Sequence, residues 1–244
     1  MQLGVQQKKS AEELFGKLFT TDFDPTGLRA ELEAGKYNAD VVNAAAFEYV
    51  QACADSFDHW SIDWDMYYPG ETVPGHESSH MAEAIDLLLD FGLDPNRIYR
   101  EEFPDGHAEE ENIMVLLDEV FNGYQAADSL YLLLSRGGDP NLVVDGSRLI
   151  VCPTDDICFD TVNREDMVPD GMYEAKLHYW LVLAGFGAVF EDGTLPLEPV
   201  NGFDLSSLQE HRNYYAGAIH SDRSRDGWDL VVFDWHTNRE VGRL

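Results

Sequence analysis

Basic residues are scarce in this chain. Only 16 lysines and arginines stand against 46 aspartates and glutamates, a formal net charge of −30. Such a field repels phosphate backbones, so nucleic-acid binding is not expected. An anionic membrane surface is disfavoured for the same reason. A basic protein partner would instead be attracted, and its association accelerated. A plainer reading is that the acidity keeps the protein soluble or reflects an acid-biased proteome.

Cysteine is scarce too. Cys53, Cys152 and Cys158 make an odd count without the density of a disulfide scaffold, and none stands in C-x-x-C spacing. Each reads as a buried thiol. Long hydrophobic runs are missing: the longest, Tyr179–Phe190, is too short to span a bilayer and contains two glycines. The opening MQLGVQQKKSAEE has no apolar core or cleavage site. The expectation is a cytoplasmic protein, or one exported without a standard signal peptide.

Catalytic signatures are also lacking. The chain has no G-x-x-x-x-G-K-[ST] loop, no G-x-S-x-G elbow and no G-x-G-x-x-G turn. One motif stands apart, His76-Glu77-Ser78-Ser79-His80, formally H-E-x-x-H. On a helix this spacing turns both imidazoles to one face for zinc, with the glutamate as the base that activates water. The resemblance to zinc metalloproteases covers these five residues only, and Pro74-Gly75 directly before His76 puts it at a helix entrance. The other expectation for these residues is a helix N-terminus with His80 on its polar side. No cofactor is expected, and zinc hydrolysis through His76, Glu77 and His80 is kept as the minority reading.

What the chain does have is repetition. Leu87–Asn96 reads LLLDFGLDPN and Leu132–Asn141 reads LLLSRGGDPN, a fixed offset of 45 residues. In each, a leucine run closes a helix, and a glycine (Gly92, Gly137) stands where a left-handed cap would fall. Asp-Pro-Asn then forces a turn. A weaker copy is Val182–Ala188 with Gly187 in the glycine slot, and a fainter one is Leu28–Gly35.

These stretches resemble the helix-end signature of ankyrin repeats, LLL-x-x-G-A-D-P-N, over roughly residues 25–195. The T-P-L-H opening of that family is absent, and the 45-residue spacing exceeds the usual unit of about 33. The resemblance implies a mainly α fold, an irregular ankyrin-like stack of helix pairs with hairpin fingers. It also implies a protein that binds other proteins through loop tips and rarely carries out chemistry. A short, free-standing, acidic example is similar to bacterial immunity or antitoxin proteins that neutralise basic toxin domains, by analogy of fold alone.

Taken in order, Ser10-Ala11-Glu12-Glu13 predicts a capping box opening a helix with Leu14, Phe15, Leu18 and Phe19 on one face. Asp24-Pro25 opens the next, with Leu28 and Leu32 inward and Gly35 as its stop. Val42, Ala45, Ala46, Tyr49, Val50 and Cys53 form a helical stripe. An interruption rich in aromatics and acids follows at 58–75. Insertions in repeat arrays map to loops on one face, often the binding face. Its Trp60, Asp63, Trp64, Asp65, Tyr67 and Tyr68, together with Tyr99, Glu101 and Glu102 of the next loop, are the candidate partner-binding residues. The alternative is that the aromatics pack the insertion back onto the helices.

Met81, Ala84, Ile85 and Leu88 mark a further helix. Arg97–His107 is expected to form a finger loop. Glu109, Glu110 and Glu111 are expected at the positive end of a helix carrying Ile113, Leu116, Leu117, Val120 and Phe121. Its partner helix carries Ala126, Leu130, Leu133 and Leu134. The segment LVVDGSRLIV predicts a hairpin through Asp145-Gly146. Asp155–Asn163 and Tyr173–Ala184 predict a last helix pair. Asn213–His220, Trp228–Trp235 and Val241–Leu244 predict a small antiparallel β-meander that caps the stack. The expected division is a helical region over 1–200 and a β cap over 201–244.

Overall fold

The computed structural model describes residues 4–58, 79–102, 108–117, 120, 123–144, 147–148, 179, 181–189, 197–220 and 228–243. These are mainly helical, with a small antiparallel sheet toward the C-terminus. The chain divides into two units, 1–139 and 140–244.

The first unit begins with α1 (Val5–Leu18), whose Ala11, Leu14 and Leu18 are buried. Its start corrects the sequence expectation. Ser10 lies inside α1, its hydroxyl donating to the Gln6 carbonyl at 3.1 Å. The N-terminus is closed instead by Gln7, whose Oε1 accepts the Gly4 N–H at 3.0 Å. Both residues are exposed, so no apolar periodicity announced this first turn. α2 (Pro25–Glu33) starts as expected, with the Asp24 side chain accepting the Gly27 N–H and Leu28 and Leu32 buried. α3 (Ala39–Asp58) buries Val42, Ala45, Ala46, Tyr49, Val50 and Cys53, the predicted stripe.

α4 (Met81–Asp90) buries Met81, Ala84, Ile85, Leu87 and Leu88. It is followed by β1 (Ile98–Glu102) and β2 (Ala108–Asn112), an antiparallel pair. Glu109, Glu110 and Glu111 therefore lie in a strand and not on a first helical turn. Asn112 caps the helix that follows, accepting the Met114 N–H at 2.8 Å. That helix is α5 (Ile113–Leu116), and α6 (Gly123–Ser135) follows it. Ile113, Leu116, Leu117, Val120, Ala126, Leu130, Leu133 and Leu134 are all buried. The helices pack in two rows, α1 on α3 and α3 on α5, then α2 on α4 and α4 on α6.

The repeated glycines do what their spacing predicts. Gly35, Gly92, Gly137 and Gly187 have φ of 72°, 96°, 99° and 78°. In each case the residue after the glycine donates to the carbonyl five positions back: Lys36 to Glu31, Leu93 to Leu88, Gly138 to Leu133 and Ala188 to Leu183. This is one helix ending used four times, with its orphan carbonyls satisfied.

In the second unit, β3 (Val143–Val144) and β4 (Ser147–Arg148) pair antiparallel where the hairpin was expected. Residues 181–185 are helical, and most of the predicted helix pair before them lies outside the described residues. A four-stranded antiparallel sheet follows, in the order β5 (Glu198–Pro199), β8 (Glu240–Arg243), β7 (Trp228–Asp234), β6 (Tyr214–His220). A 3-10 helix, Leu205–Asn213, leads into β6. Leu181, Ala184, Leu197, Leu208, Tyr214, Val232 and Val241 form one apolar cluster. This joins the sheet to helical residues before 200, so the expected boundary at 200/201 falls inside the unit. Gly185 makes the contact possible, since a Cβ there would lie 2.6 Å from the Gln209 nitrogen.

Candidate partner-binding finger

The β1–β2 hairpin is the strongest concentration of charge on any one described element. Five of its ten strand residues are glutamates, and Arg100 is its one cation. The register sets Glu101 directly opposite Glu109, Arg100 opposite Glu110, and Tyr99 opposite Glu111. Only the Arg100–Glu110 pair is of opposite sign, with 3.4 Å between Nη1 and Oε1. Like charges facing across a ladder destabilise it. The hairpin keeps that cost because its base is held from both sides.

On the β2 side, Asn112 is fully buried. Its Nδ2 donates to the Pro95 and Arg97 carbonyls at 2.9 and 2.8 Å, closing the entry to β1. On the β1 side, the Tyr99 hydroxyl donates to the Asn43 carbonyl of α3 at 2.7 Å. The Tyr99 ring stacks on Phe47 with centroids 3.9 Å apart. Burial pushes the Tyr99 phenol well above its ordinary range, and the positive charge of Arg97 pulls against that. Arg97 itself pairs with Asp40 of α3 at 3.1 Å, and its guanidinium lies over the Tyr99 ring.

Asn43 completes the base. Its Nδ2 donates to the Ala39 and Gly92 carbonyls at 2.7 and 2.8 Å, and its Oδ1 accepts the Asp94 N–H at 2.9 Å. The same clamp recurs twice. Asn96 holds the Gly137 carbonyl and the Asp139 N–H. Asn141 holds the Gly187 carbonyl and the Val189 N–H. The asparagine of each Asp-Pro-Asn thus grips the glycine turn of the next helix end. Asn43 does this from within a helix, where the Asp-Pro-Asn signature is missing.

Among the predicted site residues, Tyr99 is half-buried and serves as an anchor of the hairpin. Glu101 and Glu102 lie on β1. Trp60, Asp63, Trp64, Asp65, Tyr67 and Tyr68 lie outside the described residues, as do His76 and Glu77. His80 is not on the polar side of a helix. It precedes α4, half-buried, with its ring stacked on Phe23 at 4.4 Å and on Tyr49 at 6.1 Å. Its Nε2 stands 2.8 Å from the Leu18 carbonyl. A carbonyl only accepts, so Nε2 carries the proton and only Nδ1 is left as a donor atom for a metal. The helical geometry that would aim this imidazole beside that of His76 does not extend to it. Among the described residues no three His, Cys, Asp or Glu side chains gather as metal ligands. Among the same residues, no helix is long and apolar enough to cross a membrane.

Sequence reasoning passed over Asn43 and Asn112. The available signal was a polar residue inside an apolar stripe, since Asn43 falls between Val42 and Ala45. No family model, curated protein or solved structure matches the chain.

Proposed function

We propose that this protein is a non-catalytic, ankyrin-like binding module whose acidic finger engages a basic protein partner. Three observations support the ankyrin-like reading. The glycine helix ending recurs four times, the asparagine clamp recurs three times, and the helices of the first unit pack in two rows. The β1–β2 register carries the functional reading: Glu101 faces Glu109 on a hairpin whose base is fixed to α3 and α5. A ladder of this kind is paid for in stability, and a lysine- or arginine-rich partner relieves the repulsion on binding. A fixed base means that little ordering entropy is lost when the partner arrives. An immunity- or antitoxin-type protein, set against a basic toxin domain, has this design; that step rests on fold-level analogy. The segment 58–75, with Trp60 and Trp64, is the proposed apolar anchor beside the charged finger.

The test is a pull-down from the source cell with wild-type protein and a Glu101→Lys/Glu109→Lys variant, each washed at low and high salt. One dominant partner, lost on charge reversal, is the expected result. A partner held equally by the reversed finger would remove the hairpin from the interface. Equal capture of unrelated basic proteins would mark a general decoy of nucleic-acid charge instead of a specific recogniser. Stoichiometric zinc in the purified protein, with an activity abolished by Glu77→Gln, would return the hydrolase reading.

A further inference from the structure

The two edges of the C-terminal sheet are built differently. At one edge, β5 is two residues long and contains Pro199, which has no N–H to offer a neighbouring strand. Short edge strands and prolines are the usual protection against pairing with another chain. At the other edge, β6 runs for seven residues, YYAGAIH, without proline, lysine, arginine, aspartate or glutamate. Among the described residues no strand pairs with its outer side.

Which backbone groups point outward follows from the ladder. The Trp235 N–H donates to the Asn213 carbonyl at 2.8 Å, so this pair is hydrogen-bonded across β6 and β7. Hydrogen-bonded and non-bonded pairs alternate in an antiparallel ladder. Tyr215, Gly217 and Ile219 therefore turn their N–H and C=O groups to β7, and Ala216, Ala218 and His220 turn theirs outward. The Asp234 N–H, which donates away from β6 to the Arg239 carbonyl at 3.0 Å, agrees with this phase. Tyr214 is also outward, and its N–H is already taken by the His211 carbonyl.

We propose that β6 is a dimerisation edge and that its occupant is β6 of a second copy of this chain, antiparallel about Gly217. That register pairs Ala216 with Ala218 of the second copy, twice, so that outward-facing donors and acceptors meet on both strands. It sets Tyr215 opposite Ile219 of the second copy at a non-hydrogen-bonded position, where side chains stand closest. Aromatic against β-branched is a favourable cross-strand pair. Charge selects this occupant over others. A basic strand finds no carboxylate on β6, a strand as acidic as β2 gains nothing there, and a second β6 is neutral against neutral. The two-fold axis closes the assembly, so it stops at two copies.

The opposing force is the charge of −30 on each copy. It acts at long range and is screened: the Debye length falls from about 10 Å at 0.1 M salt to about 3 Å at 1 M. Dimerisation through β6 therefore strengthens with salt, the reverse of binding driven by opposite charges.

Sedimentation of the full chain at about 0.1 M and about 1 M sodium chloride tests this. The expected result is twice the chain mass at the higher salt, and the chain mass at both salts for Ala218→Pro. That change removes one outward N–H and leaves the β6–β7 ladder intact, the position in an edge strand where proline is tolerated. A second pair of variants covers a failure of Ala218→Pro to fold. Tyr215→Lys with Ile219→Lys places like charges opposite each other and abolishes the dimer, while Tyr215→Lys with Ile219→Glu keeps it. A wild type that stays monomeric at both salts overturns the dimer. So does a folded Ala218→Pro variant that still dimerises, or equal behaviour of the two double variants.

Discussion

Asn96 holds the helix-end turn at Gly137: its Nδ2 donates to the Gly137 carbonyl at 2.9 Å and its Oδ1 accepts the Asp139 N–H at 2.7 Å. One side chain thus satisfies two backbone groups on the next turn. Asn96→Ala is expected to lower stability by about 1–2 kcal/mol, two modest hydrogen bonds near solvent. Asn43→Ala removes the equivalent clamp from a residue 1% exposed, leaving buried groups unpaired. Its cost is therefore larger, about 3 kcal/mol. Urea unfolding of both variants checks the order. Equal losses would mean that burial does not set the strength of the clamp.

The glycine turns separate conformation from packing. Gly92 and Gly137 have nearly equal φ, 96° and 99°. A left-handed conformation costs an L-residue about 1–2 kcal/mol, which is the expected loss for Gly137→Ala, where an added Cβ meets open space. At Gly92 the added Cβ also lies 3.1 Å from the Ala39 Cβ. Gly92→Ala is expected to cost more than Gly137→Ala, by an amount that Ala39→Gly recovers in the double variant. Thermal melts of the two single variants and that double variant measure it.

Much of this was legible because it depends on local chemistry. A leucine run, a glycine and Asp-Pro-Asn define a helix end wherever they occur, and all four glycine slots are left-handed. The alternation in Leu230–Phe233 likewise became β7. What misled was local chemistry overruled by partners. Ser10-x-x-Glu13 has the form of a capping box, yet residues 5–9 already supply helix, so Ser10 has no end to cap. Glu109–Glu111 have poor strand propensity, but pairing with β1 fixes them in a ladder. Asn43 could not be read as a clamp because its partners, Gly92 and Asp94, are remote in sequence. Of the candidate site, Glu101 and Glu102 fall on the finger as expected. Tyr99 was chosen as an exposed aromatic, and the stacked Phe47 and the Asn43 carbonyl turn it into an anchor.

Tyr99→Phe tests that anchor directly. The ring still stacks on Phe47, while the 2.7 Å hydrogen bond to the Asn43 carbonyl is lost. A stability loss of about 1 kcal/mol is expected. Amide exchange in β1 should quicken more than exchange in α3, because the hairpin is tied at one point and the helix at many. Uniform acceleration in both would show that the hydroxyl serves the core and does not orient the finger.

The first helix pair carries a pH-dependent tie. Glu31 of α2 accepts hydrogen bonds from Lys17 of α1 at 2.7 Å and from Lys36 at 2.8 Å, and Lys36 also reaches Glu13 at 2.6 Å. Hydrogen bonding by Lys17 first, then Lys36, holds the Glu31 carboxyl down at about 2, against an ordinary 4.5. Hydrogen bonding to Lys36 lowers Glu13 as well. A depressed folded-state value contributes stability that is fully present above the unfolded value and is lost as pH falls through the folded one. The contribution of Glu31 is thus complete above pH 4.5 and fades toward about 2. Glu31→Gln cannot titrate, so its melting temperature should fall less steeply than that of the wild type across this window. The gap between the two should be widest above pH 4.5 and should shrink in high salt, because these side chains are in contact with solvent. Parallel melting curves for the two proteins from pH 5 down to pH 2 would mean that the lysines do not hold this carboxylate in solution.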